Sequence, residues 1–194
     1  PAEREGLLEV VRSVRDDVDL LILSYHGGLE YATEPVTVRV EFFKRLVDAG
    51  VDVVWGHHSH VLQRWELHRG DERTGFIMYS LGNFLSGQPY HVDPRKPYEE
   101  RALTGESVIL ELTMAYRVDP SAGREAVTAS SPEIVRIDAV PIIHLPDATG
   151  FVRVIPADRI GAIDLSPDRR SFGRTRRRRI ELFAQHHLSI PLLP

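Results

Sequence analysis

Two short apolar runs flank one helical pattern, and that order constrains the chain more than any other feature. Val18-Asp19-Leu20-Leu21-Ile22-Leu23-Ser24 and Val51-Asp52-Val53-Val54-Trp55 have the length and apolar density of strands covered on both faces of a parallel sheet. Between them Pro35 stands where a helix commonly starts, Val36, Val40, Phe43 and Val47 repeat at helical spacing, and Gly50 supplies the stop. A helix over 35–49 therefore joins the two strands, and a crossover of that length makes them parallel. Both strands then end on the same sheet edge. One releases Tyr25-His26-Gly27-Gly28 there, the other Gly56-His57-His58-Ser59-His60.

Upstream, Leu7, Val11 and Val14 recur between charges and predict an amphipathic helix over 2–17. Downstream, 62–68 and 75–80 are strand-like and joined by the turn-rich Arg69-Gly70-Asp71-Glu72-Arg73-Thr74, as in a hairpin. Pro89, Pro94 and Pro97 make 84–105 a loop, long enough to read as functional. Further strands are predicted over 107–113, 133–143 and 151–155, with a polar excursion over 119–131. A C-terminal helix over 168–187 carries Arg174 and the run Arg176 to Arg179, read as a solvated basic face.

Composition narrows the chemistry. The 194 residues include no cysteine, so disulfides, thiolate metal sites and cysteine nucleophiles drop out, and any metal rests on imidazole, carboxylate, amide or water. A formal charge of −4 gives no overall attraction for nucleic acid, and no nucleic-acid partner is expected.

In an open α/β sheet, ligands collect outside the carboxyl ends of the strands, where His26, His58 and His60 lie. If the strands are neighbours their ends sit about 5 Å apart, or about 10 Å with one strand between them, and the imidazoles can then converge. An H-x-H pair on an extended segment directs two rings to one side, which suits His58 and His60. His57 then faces the other way, as a neighbour of the site. Gly27, Gly28 and Gly56 leave room for close approach of backbone or substrate.

Three ordered stretches, Ser24-Tyr25-His26-Gly27-Gly28-Leu29-Glu30-Tyr31, Asp48 through Gln63 with its Trp55-Gly56-His57-His58-Ser59-His60 centre, and Tyr79-Ser80-Leu81-Gly82-Asn83-Phe84, resemble the CapA-type capsule or poly-gamma-glutamate synthesis family of the calcineurin-like metallophosphoesterase superfamily. The resemblance is close over 5–88 and looser to about 143. It implies an α/β fold, part of a four-layer α/β/β/α sandwich, with the β-α-β unit followed by mainly antiparallel strands. Residues 1–145 would be the C-terminal half of that domain and 146–194 a C-terminal extension with the basic helix. The resemblance also implies a centre of two divalent metal ions, Mn, Fe or Zn, in the complete protein, which activate water and stabilise charge developing on phosphorus. By the same resemblance His26, His58 and His60 are metal ligands, and Glu30 and Asn83 are catalytic candidates. Asn83 would orient a ligand or bind substrate; as a residue of Leu81-Gly82-Asn83 it also fits a simple turn.

Two departures stand out. The tryptophan usual after the first histidine is Gly27, and the superfamily's early D-x-H, G-D and N-H motifs do not occur in this sequence. The carboxylates that would complete both metals are therefore expected from a missing N-terminal half upstream of Pro1, and this chain alone should hydrolyse poorly or not at all. The reading is a metal-dependent phosphoesterase-like protein of capsule or poly-gamma-glutamate synthesis, present as a half-site. The alternative is a non-catalytic binding or assembly module of a polymer synthesis or export complex. Expected partners are a phosphorylated or polymer-related substrate, a membrane-associated polymer synthesis complex, and the missing half of the fold. The setting implied is bacterial, exported or membrane-associated through a missing segment, with the compartment itself open.

Overall fold

A computed structural model describes residues 2–96, 99–116, 132–162 and 164–188. In chain order its elements are α1 (Ala2–Val14), β1 (Ile22–His26), α2 (Thr37–Ala49), β2 (Val53–His57), β3 (Trp65–Arg69), β4 (Thr74–Met78), β5 (Glu106–Ala115), β6 (Glu133–Pro146), β7 (Val152–Pro156) and α3 (Pro167–Leu188), with short 3-10 turns between. The predicted excursion over 119–131 lies outside the described residues. No helix among them is long and apolar enough to cross a membrane.

The first sheet has the order β1-β2-β4-β3. β2 runs parallel to both β1 and β4, and β3 closes the expected hairpin on β4. The β-α-β unit and the following antiparallel strands give the mixed α/β class that the sequence implies. α1 and α2 cover one face of this sheet, where Leu8, Val11, Phe42, Phe43, Leu46 and Val47 pack on Val54, Ile77 and Tyr79. Each large apolar side chain buried there contributes on the order of 1.5–3 kcal/mol.

Register between β1 and β2 is pinned by a buried carboxylate. Asp52 is 2 % exposed; its Oδ2 accepts from the Leu21 amide at 2.8 Å and from Arg15 Nη1 at 2.6 Å. The pairing that follows sets His26 opposite His57, so both histidine-bearing segments leave the sheet side by side.

The other face of β2, β4 and β3 meets the antiparallel sheet β5-β6-β7: Val53, Trp65, Phe76 and Met78 share a core with Val108, Ile143, Leu145 and Ile155. α3 adds Ile180 to it, and Phe183 meets the Trp65 ring edge-on at 5.4 Å. β1 differs from expectation. It starts at Ile22 and is covered on one face only, through Leu23 and Tyr25, with Leu21 just ahead of it on the same core. Leu20 and Ile22 stay 37 % and 51 % exposed, because β1 is an edge strand and an open cleft separates them from Leu110, Leu112 and Met114 of β5.

The basic run on α3 also departs from the solvated face read from the sequence. Arg176 is fully buried: it donates to the His144 and Ala102 carbonyls at 3.0 and 2.6 Å and lies 3.8 Å from the buried Glu106 carboxylate. Arg179 pairs with the same carboxylate. Arg174 and Arg178 do face outward.

Candidate functional site

The site is assembled by two loops that leave adjacent parallel strands. Backbone bonds tie them together: the Tyr31 amide donates to the Ser59 carbonyl at 2.8 Å, and the buried Gln63 donates to the Ala32 carbonyl at 2.8 Å. Ser59, also buried, folds its hydroxyl back onto the Val61 carbonyl. Gly56 has a stricter reason to be glycine than general room for a substrate. A side chain there would press directly on the Tyr79 and Met78 carbonyls, so β2 and β4 approach closely only because position 56 has none.

The histidines do not leave β2 as an extended H-x-H. β2 ends at His57, and His58 and His60 adopt φ of 100° and 62°, in the left-handed region that L-residues rarely occupy. Tyr31, in the facing loop, does the same at 61°. Three such residues cost of order 1–3 kcal/mol each, and they cluster where the two loops meet. The left-handed turn swings the rings rather than alternating them.

His58 turns toward His26, with its Nδ1 3.1 Å from His26 Nε2 and the ring centres 5.0 Å apart. The centres of His58 and His60 are 6.1 Å apart. His60 looks elsewhere: its Nδ1 lies 3.0 Å from Asn83 Oδ1 and its Nε2 3.7 Å from the Glu30 carboxylate. His57 does not turn away as expected. It stacks between Trp55 and His26, at centre distances of 5.9 and 6.3 Å. Burial lowers its pKa, with His26 and Arg39 adding smaller effects in the same direction.

These contacts allow a test of metal fit. Two nitrogens bound to one ion at ~2.0–2.1 Å and near the tetrahedral angle lie about 3.3 Å apart, close to the His26–His58 separation. Asn83 matters for the third imidazole. Its amide nitrogen is committed to the Gln88 side chain and the Thr104 carbonyl, at 2.8 and 3.2 Å, so its oxygen faces His60 and accepts the Nδ1 proton. That tautomer leaves the lone pair of His60 on Nε2, the form a metal ligand needs. The donor chemistry fits, but the set is partial. Among the described residues no group of three or more His, Asp or Glu side chains is placed to hold a metal ion.

The fold thus brings His26, His58, His60, Glu30 and Asn83 into one neighbourhood. Glu30 is exposed and lies within ion-pair reach of His60. Beside them lies an apolar cleft of about 400 Å³ lined by Trp55, His57, Leu81, Phe84 and Ile109 among others. Sequence reasoning passed over Arg39, which sits beneath both loops with its Nη2 donating to the His57 carbonyl at 2.9 Å. Its position on the apolar stripe of α2, between Val36 and Phe43, was the available signal.

Comparison with known proteins bears on this same stretch. Residues 1–88 match the bacterial capsule synthesis protein family PGA_cap. The resemblance carried by Ser24–Tyr31, Asp48–Gln63 and Tyr79–Phe84 is borne out there, and the match stops short of the looser likeness to about residue 143. The chain is 37 % identical over 86 residues to the capsule biosynthesis protein CapA of Bacillus anthracis, covering 42 % of this chain and 20 % of that protein. It is 33 % identical over 88 residues to the PGA biosynthesis protein CapA of Bacillus subtilis, covering 45 % and 22 %. A probable polyglutamine synthesis accessory protein of Mycobacterium tuberculosis is 39 % identical over 90 residues, covering 44 % and 22 %. The chain therefore spans about a fifth of the length of the curated relatives it matches, and the shared part is the part that carries every candidate site residue.

Proposed function

We propose that this chain contributes the imidazole side of a divalent metal centre to a capsule or poly-gamma-glutamate synthesis protein, and that the complete site is a phosphoesterase-type hydrolase. The observation that carries the reading is the pair His26 Nε2 and His58 Nδ1, 3.1 Å apart, beside a His60 whose tautomer Asn83 fixes. One of the two nitrogens donates to the other in the metal-free chain, and once that proton is displaced both lone pairs, at that spacing, suit Mn, Fe or Zn.

Each residue has a task that its contacts support. His26 and His58 would hold one ion, His60 through Nε2 a second. Asn83 orients His60, and Glu30, 3.7 Å from that nitrogen, supplies a carboxylate beside the second ion. When bound, two such ions would supply Lewis acidity and an activated water at neutral pH. The carboxylates that would complete the centre would come from polypeptide outside residues 1–194, seated on the free edge of β1 and the exposed Leu20, Ile22 and Trp55 beside it. That polypeptide is the other half of the same fold. A phosphorylated or polymer-related substrate would enter at the same edge, and a membrane-associated polymer synthesis complex is the proposed setting.

The experiment uses the longer protein, purified without chelator. Stoichiometric Mn, Fe or Zn, hydrolysis of a generic phosphodiester, and loss of both in His58→Ala support the hydrolase. Absence of metal together with an unaffected His58→Ala variant sinks it and leaves the non-catalytic assembly module.

A further inference from the structure

Arg39 sits in the wrong place for a stabilising arginine. It is 5 % exposed and lies on the face of α2 that packs Phe42, Phe43, Leu46 and Val47 into the core. Its partners among the described residues are a backbone carbonyl and two aromatic rings, with its guanidinium carbon 5.6 Å from the Tyr25 ring centre and 5.2 Å from that of Phe43. Its Nε has no hydrogen-bond partner among the described residues. Taking a guanidinium out of water without a carboxylate costs several kcal/mol, and an apolar side chain of similar volume usually serves a core as well or better. The two ring contacts return part of that cost. Burial also lowers its pKa, so the charge is held against a desolvation penalty.

What the side chain does is reach both histidine loops, bonded to one and packed under the other. Nη2 donates to the His57 carbonyl at 2.9 Å, one residue before the left-handed His58. Nη1 lies under Gly28, two residues after His26, so closely that a Cβ at position 28 would come within 2.6 Å of it. Gly28 has φ of 129°. One rigid fork, five bonds' length from its own backbone, thereby sets the height of both loops over the sheet.

We infer that Arg39 is a positioning residue for the imidazole pair, clamping the loop after His26 and the end of β2 so that His26 and His58 meet. The inference deepens the proposed function and rests on it only for the metal that the pair would take. The geometric claim stands in the metal-free chain.

The test compares Arg39→Met and Arg39→Lys with the unaltered chain by three measurements: thermal midpoint, nuclear Overhauser contacts between the His26 and His58 rings without metal, and zinc affinity by titration. For Arg39→Met the expected result is a thermal midpoint equal to or above that of the parent, loss of the ring-to-ring contact, and at least a tenfold fall in zinc affinity. Arg39→Lys should recover part of the contact and of the affinity, since an ammonium can still reach one carbonyl. An Arg39→Met chain that keeps the contact overturns the inference. So does a fall in thermal midpoint in both variants with the contact intact, which is a structural role. If Arg39→Met does not fold, Arg39→Lys decides on the same contact. A parent chain that binds no zinc, while Arg39→Met still loses the contact, retains the positioning role and defeats the metal reading.

Discussion

Asn83 and His60 form a one-way hydrogen bond: the Asn83 amide nitrogen is occupied by Gln88 and Thr104, so only its oxygen can face the His60 Nδ1 that lies 3.0 Å away. A loop residue 23 positions further along the chain thus decides which nitrogen of a site imidazole keeps its lone pair. The contact also joins the two sheets' loops, because Gly82, next to Asn83, bridges to Ser107 at the start of β5.

Removing the amide should release the tautomer. In Asn83→Ala, ring nitrogen spectra are expected to show His60 as a mixture of both neutral forms, where the parent shows the Nδ1-protonated form. Loss of a partner that orients a metal ligand typically lowers metal affinity by about 10–100-fold, and that range is expected for ions bound through His60. A single unchanged tautomer in the variant would contradict the assignment.

His58 holds a backbone conformation suited to glycine, with φ of 100°. His58→Gly is expected to be more stable than His58→Ala by about 1 kcal/mol, since glycine enters that region without steric cost. Denaturant titration of the two variants checks this. Equal stabilities would mean that the strain is not present in solution.

His144 gives the chain a defined weakness toward acid. It is fully buried, its pKa is lowered to about 4 by burial and then by Arg176, and its Nδ1 has no hydrogen-bond partner among the described residues. Above pH ~6.5 the ring is neutral folded or unfolded, so it does not affect stability. Between 6.5 and 4 the unfolded chain takes up a proton that the folded chain refuses, so stability falls as pH falls, by roughly 3 kcal/mol in total, and levels below 4. His144→Leu is expected to flatten that part of the pH profile relative to the parent in urea unfolding. Parallel profiles would show that His144 is not the group responsible.

Glu106 is the shared acid of Arg176 and Arg179. Deleting it strands a guanidinium that is 0 % exposed, and breaking such a pair from one side commonly costs about 3–5 kcal/mol. Glu106→Ala should therefore lower unfolding free energy by that order, while Arg176→Met, which removes the buried charge, should cost much less. A loss under 1 kcal/mol for Glu106→Ala would place the α3 arginines back among solvated surface charges.

Much of the architecture was legible because it rests on patterns with one physical cause. The apolar runs around Ile22 and Val54, Gly50 closing α2, and the turn residues between Arg69 and Thr74 each announce one local geometry, and the β-α-β unit follows from their order. The neighbourhood of His26, His58, His60, Glu30 and Asn83 was legible in membership. It was not legible in geometry, since a left-handed histidine leaves no mark in the sequence and the strand pattern suggested an extended H-x-H. Side chains that break their class were invisible for a related reason. Arg39 and Arg176 occupy apolar stripes, the latter in line with Phe172 and Ile180, and pattern reading assigns charge to solvent. The open face of β1 was missed because an apolar run cannot tell which neighbour covers it.

Zinc titration of this chain, followed by histidine ring resonances, decides whether His26 and His58 act as one divalent metal clip. His26 and His58 are expected to shift together with a single dissociation constant, His68 and His91 to stay in place, and His58→Ala to abolish the His26 response. His26 and His58 shifting independently, or not at all at millimolar zinc, would contradict the clip.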